Sequence, residues 1–405
     1  MVRQQENQRV LSGMRPTGRL HLGHFHGVLK NWVELQHSHE CFFFVADWHA
    51  LTTLYDDPSG IETHVVDMVI DWLAAGVSPS AATLFVQSRV PEHAELHLLL
   101  SMITPLGWLE RVPSFKDQQE QLREKDLATY GFLGYPLLQS ADVLVYRAGL
   151  VPVGEDQVAH VEITREVARR FNHLYGREPD FMVKAEAAID KLGKKSARQY
   201  RDLRRQYQER GDVEAIDVAR AMLEQQQNLS LSDRERLYGY VEGGARILLP
   251  EPQPLLTPTS KMPGLDGRKM SKSYGNTIAL REPLDQVANK LRTMPTDPAR
   301  VRRHDPGNPD VCPVWALHEV YTESEQREAL AAGCRSASIG CVDCKRVLGE
   351  GIVAELEPIH ERARAFEDDP SVVRDILNEG VETAREEARE TLDIVRRAMG
   401  VEYVR

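Results

Sequence analysis

Three histidines and three glycines lie within the stretch MRPTGRLHLGHFHG, at residues 14–27. His21 and His24 are three residues apart, so at the start of a helix both side chains can reach one ligand as hydrogen-bond donors. Glycines in a loop that enters a helix let a phosphate or a flat base approach the backbone N–H groups. The stretch indicates a phosphate-binding loop, and its alternative is a glycine-rich turn with surface histidines.

The segments around this stretch must position it. RVLS before it is a short apolar run, and the apolar residues of FHGVLKNWVELQ after it recur with helical spacing. CFFFVAD and TLFVQS indicate two further buried strands, with a helix over residues 61–75 between them. This alternation predicts an α/β fold with a Rossmann-like, doubly wound parallel sheet, whose ligands bind at the carboxyl ends of the strands.

A second basic motif, RKMSK, occupies residues 268–272. By itself it is typical of an exposed basic turn. Gly264, Gly267 and Gly275 flank it and can act as hinges of a mobile loop.

HLGH at residues 21–24 followed by KMSKS at residues 269–273 resembles the signature pair of class I aminoacyl-tRNA synthetases. The stretches GMRPTGRLHLGH, VADWHALT, TLFVQSRVPEHAEL, GYPLLQSADVLVY, VPVGEDQVAHVEITREVARRFN and GRKMSKSYGN are similar to tryptophanyl-tRNA synthetases. They span most of residues 8–185 and 255–280. Tyrosyl-tRNA synthetases, the nearest relatives in fold, resemble the chain less well at VPVGEDQ.

The resemblance implies activation of tryptophan by ATP, with Mg²⁺, and transfer of tryptophan from the adenylate to tRNA(Trp). It assigns catalysis to four residues: His21, His24, Lys269 and Lys272. The ATP-binding residues that it implies are Arg15, Thr17, Gly18, Gly23, Gly154, Asp156, Met270, Ser271 and Ser273. Charge develops on phosphate oxygens in this reaction, so catalysis requires positioning and positive electrostatics more than an acid and base.

Substrate selection is expected from a helix after Pro136, where Tyr135, Gln139 and Asp142 face one side. The tryptophan side chain has one polar group, an N–H donor, which an acceptor-only carboxylate can recognise. The resemblance assigns this role to Asp142 and completes the tryptophan site with Leu11, His49, Tyr135, Gln139 and Gln157. An ordinary helix-surface or capping role for Asp142, and a structural role for a buried His49, are the alternatives. No editing domain is expected.

The predicted domains are a Rossmann catalytic domain (1–185), a helical insertion (186–246), the KMSKS segment (247–280) and a helical anticodon-binding domain (281–405). Residues 191–210 carry eight Lys and Arg against Asp202 and Glu209, a local charge of +6. This patch is either the surface of a solvated helical hairpin or a contact for the tRNA backbone.

Four cysteines, Cys312, Cys334, Cys341 and Cys344, lie in the last predicted domain with only one CxxC pair. Some bacterial tryptophanyl-tRNA synthetases carry a [4Fe-4S] cluster on similarly spaced cysteines, and the spacing favours this cluster. Zn²⁺ and unligated thiols are the alternatives.

The net charge of −11 over 405 residues argues against indiscriminate nucleic-acid binding. The sequence has no apolar run of membrane-spanning length, so we expect a cytoplasmic protein that is not in a membrane. A homodimer is implied by the resemblance. Two other functions stay open: a tyrosyl-tRNA synthetase or other HxGH nucleotidyltransferase, and a non-catalytic sensing paralogue.

Overall fold

Five short parallel strands form one sheet in the order β3-β2-β1-β4-β5. They are β1 (Val10–Met14), β2 (Cys41–Val45), β3 (Ala82–Val86), β4 (Leu150–Val153) and β5 (Gln253–Leu256). The computed structural model describes residues 9–112, 129–154, 157–176, 180–210, 212, 214–242, 246–256 and 262–402.

The strands follow from continuous apolar runs. All five residues of β2 are buried, as expected where both faces of a parallel sheet are covered. β1 pairs with β2 along its whole length, from Val10 opposite Cys41 to Met14 opposite Val45, and with β4 on its other side. The strands that follow β1 are therefore added first on one side of it (β2, β3) and then on the other (β4, β5). At this switch point a crevice opens between the carboxyl ends of β1 and β4. The predicted α/β fold is confirmed.

The helices of the first half cover the two faces of the sheet. They are α1 (Leu22–His24, a π-helical turn Phe25–Leu29, and Lys30–Leu35), α2 (Asp47–Leu54), α3 (Ile61–Ala75), α4 (Glu92–Ser101), α5 (Leu106–Leu109), α6 (Tyr130–Val145) and α7 (Val158–Tyr175). The helix predicted over residues 61–75 has those bounds. α6 begins earlier than the sequence indicates, because the Thr129 side chain caps it by accepting from the Phe132 N–H, and Pro136 lies in its interior.

Four helices after α7 pack mainly on one another. They are α8 (Phe181–Asp190), α9 (Gly193–Arg210), α10 (Glu214–Glu224) and α11 (Leu231–Glu242). Their apolar faces share a core of their own that includes Tyr200, Leu223 and Leu237. The strongly basic face of α9 is left toward solvent, where Lys194, Lys195 and Arg198 are exposed.

The C-terminal helices, in contrast, complete the core around the sheet. They are α12 (Leu284–Thr293), α13 (Pro313–Tyr321), α14 (Ser324–Arg335), α15 (Cys341–Asp368) and α16 (Pro370–Met399). Leu356 of α15 belongs to the same apolar cluster as Val10 and Phe43, and Leu392 of α16 to the same cluster as Phe42. α16 lies so close to β3 that a Cβ on Gly380 would fall 1.9 Å from the Leu84 carbonyl oxygen.

No helix within these described ranges combines the length and the apolar character needed to cross a bilayer.

Candidate active site

A cavity of about 450 Å³ lies at the carboxyl ends of β1 and β4. Side chains from β1, α1, α2, α6 and the start of α7 line it. Nine residues that the sequence assigned to catalysis, ATP or tryptophan are on its wall: Leu11, Arg15, His24, His49, Tyr135, Gln139, Asp142, Gly154 and Gln157. The topology thus brings residues from positions 11 to 157 around one volume large enough for a small ligand.

The two histidines of HLGH cap the helix that they begin. Nδ1 of His21 accepts from the Gly23 N–H at 3.1 Å, and Nδ1 of His24 accepts from the His21 N–H at 3.2 Å. Each ring therefore uses Nδ1 as an acceptor, which leaves the proton of the neutral imidazole on Nε2. The caps fix one tautomer for both rings, and each presents an Nε2–H donor.

Both imidazoles are neutral. Burial, together with the nearby charge of Lys272, lowers the pKa of His21 to about 4. Burial and the neighbouring His21 and Lys272 lower the pKa of His24 to about 3. At neutral pH this pair contributes hydrogen-bond donors, and the positive charge beside it comes from Lys272.

Lys272 lies against the glycine-rich loop. Its Nζ donates to the carbonyl oxygens of Thr17, at 3.1 Å, and Gly18, at 2.9 Å. Gly18 has a φ of +100°, which permits this turn of the loop. Burial lowers the pKa of Lys272. KMSKS and the HLGH loop thus already meet in the structure.

The rest of KMSKS is held by its backbone. Met270 is buried, whereas Lys269 and Ser273 are exposed. Ser271 donates its backbone N–H to Oδ1 of Asn276, whose Nδ2 donates to the Lys269 carbonyl.

Gly23 is the contact between the two signature motifs. A Cβ at this position would lie 2.9 Å from the His21 ring and 3.6 Å from the Met270 Cβ. Only glycine lets the capping ring of His21 pack at this place without a shift.

Asp142 is fully buried at the wall of the cavity and accepts three hydrogen bonds. Nε2 of His49 donates to Oδ2 at 2.7 Å, while Nδ1 of His93 at 2.6 Å and Nε2 of Gln87 at 2.7 Å donate to Oδ1. Burial alone would raise the pKa of the Asp142 carboxyl, but the attraction and hydrogen bonds of His49 and His93 lower it below its ordinary value. The carboxylate is therefore ionised, and it is an acceptor only.

A second polar chain runs from α6 to α7. Tyr135 Oη lies 2.9 Å from Nε2 of His160, and Nδ1 of His160 lies 2.6 Å from Oε1 of Gln157. The amide oxygen accepts from Nδ1, so Nε2 accepts from the tyrosine hydroxyl. Gly154 follows β4 beside this chain, and Asp156 lies outside the described residues.

The four late cysteines come near one another at the start of α15. Burial and the nearby Cys312, Cys334 and Cys341 raise the pKa of Cys344 to about 12. Nε2 of His318 lies 3.1 Å from the Cys344 Sγ. Among the described residues, no group of three or more His, Cys, Asp or Glu is arranged to hold a single metal ion.

Comparisons with known proteins show the family to which the chain belongs. The model of a family described as tRNA synthetases class I (W and Y) matches residues 3–198 and 216–357. The Tryptophan–tRNA ligase of Ralstonia nicotianae is 65% identical over 98% of this chain and 99% of that protein, and its Thermotoga maritima counterpart is 44% identical over 98% and 100%. The chain belongs to this class I synthetase family. The structure of tryptophanyl-tRNA synthetase from Campylobacter jejuni complexed with ADP and tryptophan has a TM-score of 0.73 at 25% identity, over 97% of this chain and 99% of that chain.

Sequence reasoning missed several polar residues of this synthetase: Gln87, His93, Tyr146, His160 and Asn276. Gln87 and His93 lie in the family-like stretch TLFVQSRVPEHAEL, but nothing in that stretch marks them as partners of a carboxylate about 50 residues later. His160 carried a signal, since it lies one helical turn after Gln157.

Proposed function

We propose that the chain is a tryptophan–tRNA ligase, which activates L-tryptophan with ATP to tryptophanyl-adenylate and pyrophosphate and then transfers tryptophan to tRNA(Trp). The observation that carries the proposal is the ionised, buried carboxylate of Asp142 on the wall of the cavity. It can accept the indole N–H, which is the only polar group of that side chain. Tyrosine would present its hydroxyl at a different distance, and phenylalanine would bring no donor for the acceptor site that remains on the carboxylate.

The signature motifs would act on the phosphates. The carboxylate of tryptophan attacks the α-phosphorus of ATP, a P–O bond forms, and the bond to pyrophosphate breaks with its electron pair leaving on the pyrophosphate oxygen. The neutral Nε2–H groups of His21 and His24 donate to phosphate oxygens, while Lys269 and Lys272 neutralise the leaving pyrophosphate. The position of Lys272 beside the carbonyls of Thr17 and Gly18 supports this role.

Arg15, Thr17, Gly18, Gly23, Gly154, Asp156, Met270, Ser271 and Ser273 complete the proposed ATP site. Mg²⁺ is expected to accompany the phosphates of ATP. The described residues offer no acidic cluster that would hold the ion by themselves, so phosphate oxygens and water would supply most of its ligands.

At the amino-acid end, Tyr135 and Gln157 are proposed to bind the ammonium group of tryptophan. Both side chains lie on the cavity wall and are linked through His160. Leu11, Gln139 and His49 form the wall around the indole.

We further propose that the four cysteines hold a [4Fe-4S] cluster. An all-thiol donor set suits it, and Gly307 leaves space beside the thiol of Cys334, where a Cβ would lie 2.7 Å from Sγ. Bound there, the cluster would link the segment before α13 to the end of α14 and the start of α15. Iron and zinc analysis after anaerobic purification tests this; iron-free, colourless protein contradicts the cluster.

We also propose the division of the chain into residues 1–185, 186–246, 247–280 and 281–405. In this proposal the helical insertion, residues 186–246, contacts the tRNA backbone. Many of its cations already have partners, as Arg201 with Glu186 and Arg204 with the Tyr240 carbonyl. Lys194, Lys195 and Arg198 are therefore the sharper test. Replacing all three by alanine should raise the KM for tRNA and flatten its salt dependence, without changing ATP–pyrophosphate exchange.

A homodimer working in the cytoplasm is also proposed. Leu98, Met102, Leu106 and Tyr130 on or beside α4, α5 and α6 are all more than half exposed, which suits contact with a second copy. Sedimentation of the protein and of Met102→Glu tests this, since a dimer should be weakened by the buried charge.

The main experiment is amino-acid-dependent ATP–pyrophosphate exchange with tryptophan, tyrosine and phenylalanine, for the protein and for Asp142→Ala. Exchange with tryptophan alone, lost or made promiscuous by the substitution, is the expected result. Exchange with tyrosine alone would instead identify a tyrosyl enzyme, and no exchange with any of the three would favour a sensing paralogue.

A further inference from the structure

We infer that His93 and Gln87 are positioning residues, which hold the Asp142 carboxylate so that it offers one acceptor site, on Oδ2, to the incoming side chain. This inference rests on the proposed function and deepens it. It assigns amino-acid specificity to residues that do not line the site.

The first step is a count of acceptor sites. An ionised carboxylate has about four, two on each oxygen. Oδ1 receives both Nδ1 of His93 and Nε2 of Gln87, so its two sites are used. Among the described residues, Oδ2 receives only Nε2 of His49. One site is left for an indole N–H, and it is on the oxygen bonded to His49, a residue that also lines the cavity.

The two donors to Oδ1 come from the interior. His93 and Gln87 are both fully buried, and the wall of the cavity is formed by other residues. The His93 ring packs among the rings of Phe44, Phe85 and Tyr146. The substrate cannot reach and displace these two donors, and their packing keeps the donors in place when the substrate binds.

Tyr146 fixes the tautomer of His93. Its hydroxyl lies 2.7 Å from Nε2, and burial raises its pKa well above the ordinary value, so the hydroxyl keeps its proton. Nε2 of His93 therefore accepts a hydrogen bond from the Tyr146 hydroxyl, and Nδ1 of His93 carries the hydrogen that is donated to Asp142.

Gln87 is held in one amide orientation by its contact with Asp142. Its Nε2 donates to Oδ1 of Asp142, and its Oε1 is buried without a hydrogen-bond partner among the described residues. A rotated amide would place its oxygen against the carboxylate. The amide thus leaves its own acceptor unsatisfied in the orientation that fixes the aspartate.

The consequence is a carboxylate that can neither rotate nor take up a proton easily. A rotated carboxylate would present an oxygen already bonded, and a protonated one would present a donor. In either case the preference for a ligand with an N–H would fall, although the cavity would keep its shape.

The test compares tryptophan with β-(benzothiophen-3-yl)alanine, in which sulfur replaces the N–H at nearly the same size. The readout is the ratio of kcat/KM for the two amino acids in ATP–pyrophosphate exchange. We expect the ratio to fall about tenfold in His93→Leu and in Gln87→Met, because each loses one donor to Oδ1. His93→Asn, which can still place an N–H near the Nδ1 position, should recover most of the ratio.

Phe85→Leu is the matched control. It loosens the packing around His93 but removes no hydrogen bond, so it should affect the two amino acids equally. An unchanged ratio in Gln87→Met, or in His93→Leu where that variant folds, would overturn the inference while leaving the proposed function intact. Absence of tryptophan-dependent exchange in the unsubstituted protein would overturn both.

Discussion

The two ends of the cavity are built in different ways. Beside the cavity, where we propose that the phosphates bind, the backbone caps of His21 and His24 and the KMSKS turn hold the arrangement, and Lys272 is exposed. At the amino-acid end, Asp142 is fixed by side chains that are themselves fully buried. On the proposed function, the rate would depend on the exposed KMSKS turn, and specificity would depend on the buried network.

The largest difference should appear with Lys272→Ala. If Lys272 faces the transition-state charge as proposed, its removal should lower kcat for ATP–pyrophosphate exchange by about 10²–10³, with little effect on the stability of the fold. Tryptophan binding in the absence of ATP, measured by equilibrium dialysis, should be unchanged. Arg397→Ala, which removes an exposed surface cation, is the control and should leave kcat at the original value. Equal losses of tryptophan affinity and kcat would contradict the separation of the two ends.

The substitution Asp142→Ala should disrupt the buried hydrogen-bond network at the amino-acid end of the cavity. It leaves the N–H donors of His49, His93 and Gln87 unpaired in the interior, so we expect the free energy of unfolding to fall by about 3–5 kcal/mol. Urea denaturation of this variant beside Lys272→Ala measures the difference. A stability equal to that of Lys272→Ala would show that the network does not support the fold.

Gly23→Ala should weaken ATP binding to an intermediate degree. The added Cβ forces the His21 ring, 2.9 Å away, to shift, so the KM for ATP should rise about tenfold while the KM for tryptophan stays constant. Gly131→Ala is the matched control, because a Cβ at Gly131 meets nothing within 4 Å. A KM for ATP that stays unchanged in Gly23→Ala would remove the packing argument.

The smallest effect is expected in the pH dependence of stability. The pKa values of His21 and His24 are lowered to about 4 and about 3 in the folded protein, so both rings must lose protons on folding at acid pH. Their neutral forms are stabilised fully above pH 6.5, and this contribution is lost as the pH falls from 6.5 through the folded values. The double variant His21→Gln, His24→Gln should show a shallower decrease of Tm between pH 6.5 and 4. Parallel curves for the two proteins would contradict the assigned burial of the rings.

The sequence predicted local features well and long-range contacts poorly. The helix Ile61–Ala75 and the strand Cys41–Val45 follow from periodicity and from an unbroken apolar run. β4 and β5 escaped notice because each has four residues and contains a proline, which argues against a sheet interior.

The same division holds for the site. Asp142 could be predicted from its helix face and from the resemblance to the family, but its hydrogen-bond partners could not. Gln87 and His93 meet it across 55 and 49 residues of chain, and buried polar residues have no periodic pattern that would reveal them. The shared core of the sheet and the C-terminal helices was hidden because its apolar residues come from segments far apart in the chain.

The close packing of α16 on β3 has a consequence for synthesis of the protein. β3 ends at Val86, whereas the helix that covers it begins at Pro370 and touches it at Gly380. On the ribosome, the edge of the sheet is complete in sequence long before its cover has been translated. Nearly the whole chain must therefore be made before this strand is protected, and until then it is open to pairing with other chains.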